Sequence, residues 1–319
     1  MNQDILKYLD PYQKKFDITS YDIAKRIHFS GQIPSTILMI SPCRSGSTSY
    51  LRVFSASGIE SHYQPIKAIL RSLMQNGEWE FCVPDRCDLF IKETLGPYTR
   101  LESTLEPLKI LLEAGYPVDK IRIICLARDP LSTLASWLNM FSHNREKTTL
   151  FKNFILAYKS IQQLQEDAQA LGISVYCYVH EAIRDNDPSL VIRTLFEKLG
   201  ITFTPQAIGG WQSLPQFGSP ESRVIFSMEP LIYWGNEFHL SITNAQALQY
   251  IPKNRKIPED LICFNWQETM LENKIWDIYN NIREECIKWL DLPIEEAKSS
   301  MKPNSFFRWL WKPAKGKKR

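Results

Sequence analysis

The sequence lacks the features that mark membrane, secreted or nucleic-acid-binding proteins. No apolar run approaches the roughly 20 residues needed to cross a bilayer, and the opening stretch, residues 1–10, is too polar for a signal peptide. The net charge is only +3 over 319 residues, which argues against broad attraction to nucleic acid. We therefore expect a cytoplasmic protein with no transmembrane segment and no nucleic-acid partner.

The cysteines are scattered along the chain, in no arrangement that predicts disulfides or a metal site. The seven cysteines are odd in number and show no C-x-x-C spacing. Cys82 and Cys87 lie closest together, but no His or second Cys pair follows to complete a zinc site. Reduced thiols are the expected state in a cytoplasmic protein, and no metal site is predicted.

Strand-like and helix-like segments alternate along the first two thirds of the chain. Continuous apolar runs, typical of strands buried on both faces of a parallel sheet, occur at 36–40, 89–91, 121–126 and 175–179. Helical spacing of apolar residues predicts helices at 20–28, 48–56, 104–114, 131–141, 151–171 and 190–199. The alternation predicts an α/β fold of three layers, with a mostly parallel central sheet flanked by helices.

Beyond this core the regular alternation of strands and helices ends. Residues 204–270 are irregular and rich in Pro, Gly and aromatic residues, which fits either a substrate cap or a packed surface excursion with no ligand role. Helical periodicity returns at 271–290, and an aromatic and basic tail occupies 301–319. We expect a single domain over 1–300, with its core at about 36–205, and a flexible tail that is able to touch a membrane surface or a partner.

The most informative loop lies between the first predicted strand of this core and its helix. Gly46 lets the backbone approach an anion, Arg44 adds a permanent charge, and the following helix directs its positive dipole end at the same place. The candidate phosphate-binding residues are Arg44, Ser45, Gly46, Ser47, Thr48 and Ser49. The G-x-x-x-x-G-K-[ST] motif is absent, and with it the lysine that would reach a γ-phosphate, which opposes a kinase or ATPase.

A second candidate anion site follows the strand predicted at 121–126. Arg128, Asp129 and Pro130 form a turn, and Ser136 lies eight residues after Arg128. Ligands of open α/β sheets bind beyond the carboxyl ends of the strands, so this turn and the Arg44 loop share one edge. Two cationic sites there suit a ligand with phosphate groups at two ends, whereas the turn alone fits a local Arg–Asp pair equally well.

The two motifs together resemble those of the PAPS-dependent sulfotransferases. Residues 44–48 are similar to the 5′-phosphosulfate loop of that family, P-[RK]-S-G-[ST]-T, and residues 128–136 to its 3′-phosphate motif. The likeness runs from about Ile37 to Pro205 and includes the segment Tyr178–Pro205. Cys43 stands where Pro is usual, and the R-K-G motif of animal cytosolic members is absent, so the resemblance is closer to bacterial and Golgi-type members.

The resemblance implies a P-loop-NTPase-like sulfotransferase fold, PAPS as co-substrate, PAP as product, and no metal. It implies that Arg44 and the amides of 45–49 hold the 5′-phosphate and that Arg128 and Ser136 hold the 3′-phosphate. It also implies that Lys92 touches the phosphosulfate, although a strand-end surface lysine is the alternative.

The catalytic base is the weakest part of the pattern. Where relatives carry Glu, this chain has Gln64, which cannot accept a proton as a base. His62 is the first candidate because its unperturbed pKa suits the task, followed by Glu93 and then Glu60.

The expected activity is sulfuryl transfer to a hydroxyl or amine of a small-molecule acceptor, such as a natural product. Two alternatives stay open. One is a P-loop small-molecule or nucleoside kinase, and the other is a PAP-binding module without catalysis, which Gln64 favours.

Overall fold

A computed structural model describes residues 17–85, 88–216, 219, 221–226, 244–251, 257 and 265–296. Its strands are β1 (Ile27–Phe29), β2 (Ser35–Pro42), β3 (Glu60–Tyr63), β4 (Phe81–Val83), β5 (Asp88–Leu95), β6 (Ile121–Ala127), β7 (Val175–Val179) and β8 (Val224–Phe226). Six of them form one sheet in the order β7-β6-β2-β5-β3-β8, and β1 pairs with β4. Every pairing among these described strands is parallel.

Helices connect the strands and flank the sheet. They are α1 (Ser20–Ala24), α2 (Ser49–Ala56), α3 (Pro65–Met74), α4 (Arg100–Ser103), α5 (Pro107–Glu113), α6 (Pro130–Phe141), α7 (Lys147–Ala170), α8 (Ala182–Asp185), α9 (Pro188–Leu199), α10 (Trp266–Glu272) and α11 (Ile275–Leu290). Among the described residues, none of these helices combines the length and apolarity that a membrane span requires. The predicted α/β class, with a mostly parallel sheet between helices, is confirmed.

The core forms because the central strands are apolar on both faces. In β2 every residue after Ser35 is buried, and β6 is buried throughout except at Arg122. Helices cover these faces with large side chains: the Phe54 ring of α2 stacks on Phe90 of β5 with 4.0 Å between ring centroids. Such burial on two sides is what a helix-covered parallel sheet requires.

Several element boundaries differ from those predicted, each for a local reason. The helix expected at 20–28 ends at Ala24, because residues 27–29 pair with β4; its N-cap is Thr19, which forms a capping box with Asp22. The helix expected at 104–114 starts later, at Pro107, a residue suited to the first helical position, and a separate short helix precedes it at Arg100–Ser103. The helix expected at 271–290 is two helices, separated at Lys274, whose φ is 55°.

The predicted cap and tail are covered unevenly. Of residues 204–270, the structure describes 204–216, 219, 221–226, 244–251, 257 and 265–270, while the tail at 301–319 lies outside the described residues. The division into one domain and a tail stays a prediction.

Candidate functional site

A pocket opens where four neighbouring strands of the sheet end. Arg128 follows β6, Arg44 follows β2, Thr94 lies near the end of β5, and Gln64 follows β3; all four line the pocket. Because parallel strands place their carboxyl ends at one edge, residues far apart in sequence meet there. The pocket therefore lies at the edge where the sequence predicted an anionic ligand.

The loop after β2 has the backbone geometry of an anion cradle. Arg44 and Gly46 have φ values of 69° and 87°, and α2 starts three residues after Gly46. Among the described residues, no backbone acceptor takes a hydrogen bond from the amides of residues 44–48. Left-handed turns before a helix N-terminus present such amides to an anion, so the geometry of this loop favours an anionic group.

The two predicted phosphate motifs contact each other in this pocket. The Arg44 Nε donates to the Ser136 Oγ at 3.2 Å, and the Arg128 Nη1 donates to the Arg44 carbonyl oxygen at 3.4 Å. Tyr158 steadies the turn by donating its hydroxyl proton to the Arg128 carbonyl oxygen at 2.6 Å. The buried Arg128 Nε has no hydrogen-bond partner among the described residues. One site thus contains both motifs and an unsatisfied cationic donor.

His180 also lines the pocket, although the sequence analysis did not select it. It directly follows β7, and its ring packs on Gly46 and lies 5.3 Å, centroid to centroid, from the ring of Tyr250. Burial, and then the positive charge of Arg128, lower the pKa of His180 to about 3. The imidazole is therefore neutral at physiological pH. The same strand-end rule that selected Arg128 would have found it.

The β5 and β3 side of the pocket is a polar network. Gln64 has a φ of 53° and precedes Pro65, the first residue of α3. The Thr94 hydroxyl donates to the Gln64 Oε1. The Lys67 Nζ donates to the Thr94 Oγ1 at 3.0 Å and to the Gly96 carbonyl oxygen at 2.6 Å.

Lys92 occupies a buried position rather than a surface one. It lies inside β5, which continues to Leu95 instead of ending at residue 91, and its side chain is almost fully buried. Its Nζ lies 4.1 Å from the centroid of the Tyr63 ring, and both residues line the pocket. The alternative of a strand-end surface lysine is wrong.

The structure does not bring His62 or Glu93 to the pocket. Side chains alternate between the two faces of a strand, and the pocket-lining residues of β3 and β5 are Tyr63, Lys92 and Thr94. The His62 Nε2 instead lies 2.9 Å from the Glu60 Oε1, and the His62 ring packs on Phe81.

Glu93 is fully buried and caps α3. Its Oε1 accepts from the amides of Ile66 at 2.7 Å and Lys67 at 3.4 Å. Burial raises the pKa of Glu93 to about 7.

The hydroxyl residues of the loop after β2 differ in position. Ser45 is fully buried and does not belong to the pocket lining, whereas Ser47, Thr48 and Ser49 line the pocket.

The charge of the pocket is one-sided. The described lining includes five basic residues and no acidic one; the basic residues are Arg44, Lys67, Arg71, Lys92 and Arg128. The charge of Arg71 is compensated, because its Nε lies 2.7 Å from the Glu102 Oε1 in a buried ion pair. A cleft lined by one sign of charge concentrates ligands of the opposite sign, so this pocket favours a ligand with several negative charges.

Comparison with known proteins gives little family information. No protein-family model matches the chain, and no curated protein matches it. The structure is similar to that of a sulfotransferase domain from the curacin biosynthetic pathway, with 16% sequence identity and a TM-score of 0.40. The similarity covers 70% of this chain and 95% of that domain. A likeness this distant carries no argument about activity, which has to come from the site.

Proposed function

We propose that this protein is a sulfotransferase that moves a sulfuryl group from PAPS to a hydroxyl or amine of a small-molecule acceptor and releases PAP. The observation that carries the proposal is the contact between the Arg44 loop and Arg128, which are 84 residues apart in sequence. A donor with phosphate groups at both ends of an adenosine needs two such cationic sites within one pocket.

The residues present fit this donor. The amides of 44–48, which have no described backbone acceptor, and the Arg44 side chain suit the 5′-phosphosulfate. Arg128 and Ser136 suit the 3′-phosphate, and the unsatisfied Arg128 Nε supplies a donor that awaits an acceptor. An arginine with a forked set of donors is well matched to phosphate oxygens.

The reaction is a displacement at sulfur. The acceptor oxygen or nitrogen attacks the sulfur, the bond from sulfur to the 5′-phosphate oxygen breaks, and PAP leaves with the electron pair while the acceptor loses a proton. Arg44 and Lys92, both in the pocket lining, are placed to stabilise the negative charge that develops on that oxygen. His62 and Glu93 stay the predicted bases, although neither belongs to the described pocket lining.

A second function, PAP binding without turnover, is favoured by one observation. The described pocket lining contains no carboxylate, and Gln64 occupies the position expected for one. Release of PAP from PAPS in the presence of an acceptor panel separates the two functions. Turnover supports the transferase, whereas binding of PAP with no turnover of any acceptor supports the binding module.

The donor site is tested by titration calorimetry of PAP and ADP without metal. Because ADP lacks the 3′-phosphate, we expect PAP to bind more tightly, and Arg128→Ala to weaken PAP by about 10- to 100-fold, the equivalent of a charged hydrogen bond of roughly 1.5–3 kcal/mol. ADP affinity should change little in that variant.

Arg26→Ala is the matched control, because Arg26 pairs with Glu80 on the surface, outside the described pocket lining. It should leave both affinities unchanged. Equal affinities for PAP and ADP in the unmodified protein, or a requirement for Mg²⁺, would refute the proposal.

A further inference from the structure

Lys67 is a buried lysine that forms no ion pair within the described part of the chain. Its side chain is 1% exposed, yet it lines the pocket. The two acceptors of its Nζ, the Thr94 hydroxyl and the Gly96 carbonyl, are both neutral. An ammonium has three donors, and within the described part of the chain the third finds no acceptor.

The two carboxylates that act on Lys67 offset its charge only in part, and both accept hydrogen bonds from other groups. The Glu102 Oε1 accepts from the Arg71 Nε at 2.7 Å, and its Oε2 accepts from the amides of Tyr98 at 2.9 Å and Thr99 at 3.1 Å. Glu93 is engaged by the amides at the start of α3. Burial, and then repulsion from Arg71, lower the pKa of Lys67. A buried charge that its surroundings compensate only in part is unfavourable, so this position favours a bound anion.

In the strand order, this lysine lies one strand beyond the two phosphate motifs, at the end of the strand that also carries Lys92. Arg128 follows β6, and Arg44 follows β2. Lys67 lies on the helix after β3 and donates hydrogen bonds to residues at the end of β5. A donor held by the two arginines spans the β6 and β2 ends. If the 5′-phosphosulfate of such a donor points toward Lys92 of β5, the space next to Lys67 lies beyond that end of the donor, where the proposed acceptor would bind.

We propose that Lys67 forms the centre of an anion subsite that binds a carboxylate, or a similar monoanionic group, of the acceptor. The acceptor would then carry an acidic group in addition to its reacting hydroxyl or amine. Assigning the anion to the acceptor depends on the proposed function, but the anion subsite itself does not. The same chemistry is found in the sulfuryl group of the donor, and the test separates the two sources.

The smallest probe of the subsite is acetate, which is a carboxylate group with a single methyl attached. The thermal midpoint is measured in sodium acetate, in sodium chloride of equal ionic strength, and in acetamide, each with and without saturating PAP. We expect acetate to raise the midpoint relative to chloride and acetamide. At a concentration of about ten times its dissociation constant, it would shift the folded-to-unfolded ratio about tenfold.

The variants are Lys67→Met, which removes the charge at similar length, and Lys67→Gln, which keeps donors for Thr94 and Gly96. Both should lose the acetate effect, while PAP affinity falls much less than it does in Arg128→Ala. Lys109→Met is the control, because Lys109 is about half exposed on α5. It should retain the acetate effect in full.

Three outcomes would overturn the inference. One is an acetate effect that survives in both Lys67 variants, and another is an equal effect of acetamide. The third is a loss of affinity for PAPS, but not for PAP, in the Lys67 variants, because this would assign the lysine to the sulfuryl group. Failure of the wild-type protein to bind PAP would refute the donor assignment alone, since the acetate measurement without PAP still reports on Lys67.

Discussion

Gly46 is the position in the loop where adding a single methyl group should lower stability and PAP affinity most. Its φ is 87°, in the left-handed region that residues with a side chain avoid. A Cβ added there would lie 2.6 Å from both the Cε1 and the Nδ1 of His180. The histidine is buried, so Gly46→Ala forces the loop and the imidazole apart.

The cost has two parts. Holding a non-glycine residue in this conformation costs about 1–3 kcal/mol, and overpacking a filled site costs typically a further 1–3 kcal/mol. Together they predict a loss of about 2–6 kcal/mol from a free energy of unfolding that is roughly 5–15 kcal/mol for an ordinary domain. PAP affinity should fall about 10-fold or more, because the displaced loop loses at least one charged hydrogen bond.

Gly115→Ala is a matched control for the backbone part. Its φ is 94°, close to that of Gly46, but no described atom lies within 4 Å of the added Cβ. This variant should show only the conformational cost, about 1–3 kcal/mol, and unchanged PAP affinity. Urea unfolding gives the stabilities, and calorimetry gives the affinities.

A double variant isolates the contact with the histidine. Gly46→Ala in a His180→Ala background should cost about 1–3 kcal/mol less than in the wild type, because neighbouring substitutions couple when they share a contact. If Gly46→Ala destabilises no more than Gly115→Ala, and shows no coupling to His180, the crowding argument is refuted.

Two further predictions concern buried carboxylates. Glu102→Gln removes the carboxylate charge from a buried ion pair with Arg71 and should cost about 3–5 kcal/mol in urea unfolding, whereas Glu106→Gln, which loses a half-exposed pair with Lys109, should change stability little; equal losses would contradict this. Burial raises the folded-state pKa of Glu93 from 4.5 to about 7, so the stability of the wild type should fall as pH rises through that window. Glu93→Gln should lack this fall, and parallel pH profiles of the two proteins would contradict it.

The sequence predicted four of the six strands of the sheet and missed β3 and β8, which are neighbours at one side. Strands β2 and β6, residues 89–91 of β5 and the partly buried edge strand β7 all read as apolar runs. Strand β3 has the sequence Glu-Ser-His-Tyr, and no apolar run marks it. Helix α3 was missed despite a readable signal, since Pro65 starts it and Ile66, Ile69 and Leu70 are buried at helical spacing.

The elements that were missed also explain which pocket residues were missed. Arg44, Arg128 and Ser136 belong to motifs at the ends of recognised strands, and all three line the pocket. Lys67 lies on the helix that was missed, and Thr94 lies in the part of β5 that was not recognised. Their places in the pocket depend on tertiary contacts that sequence spacing does not contain.

Gln64 and Lys67 act as one feature of the pocket, because both contact the hydroxyl of Thr94. A glutamate at position 64 would place a carboxylate beside that hydroxyl and give Lys67 an internal counter-ion. Because the amide of Gln64 is neutral, it serves neither as a base nor as a counter-ion of Lys67. A negatively charged ligand would therefore neutralise the lysine. An acceptor that brings its own negative charge satisfies this arrangement, and a nitrogen acceptor that is already nucleophilic would need the missing base least.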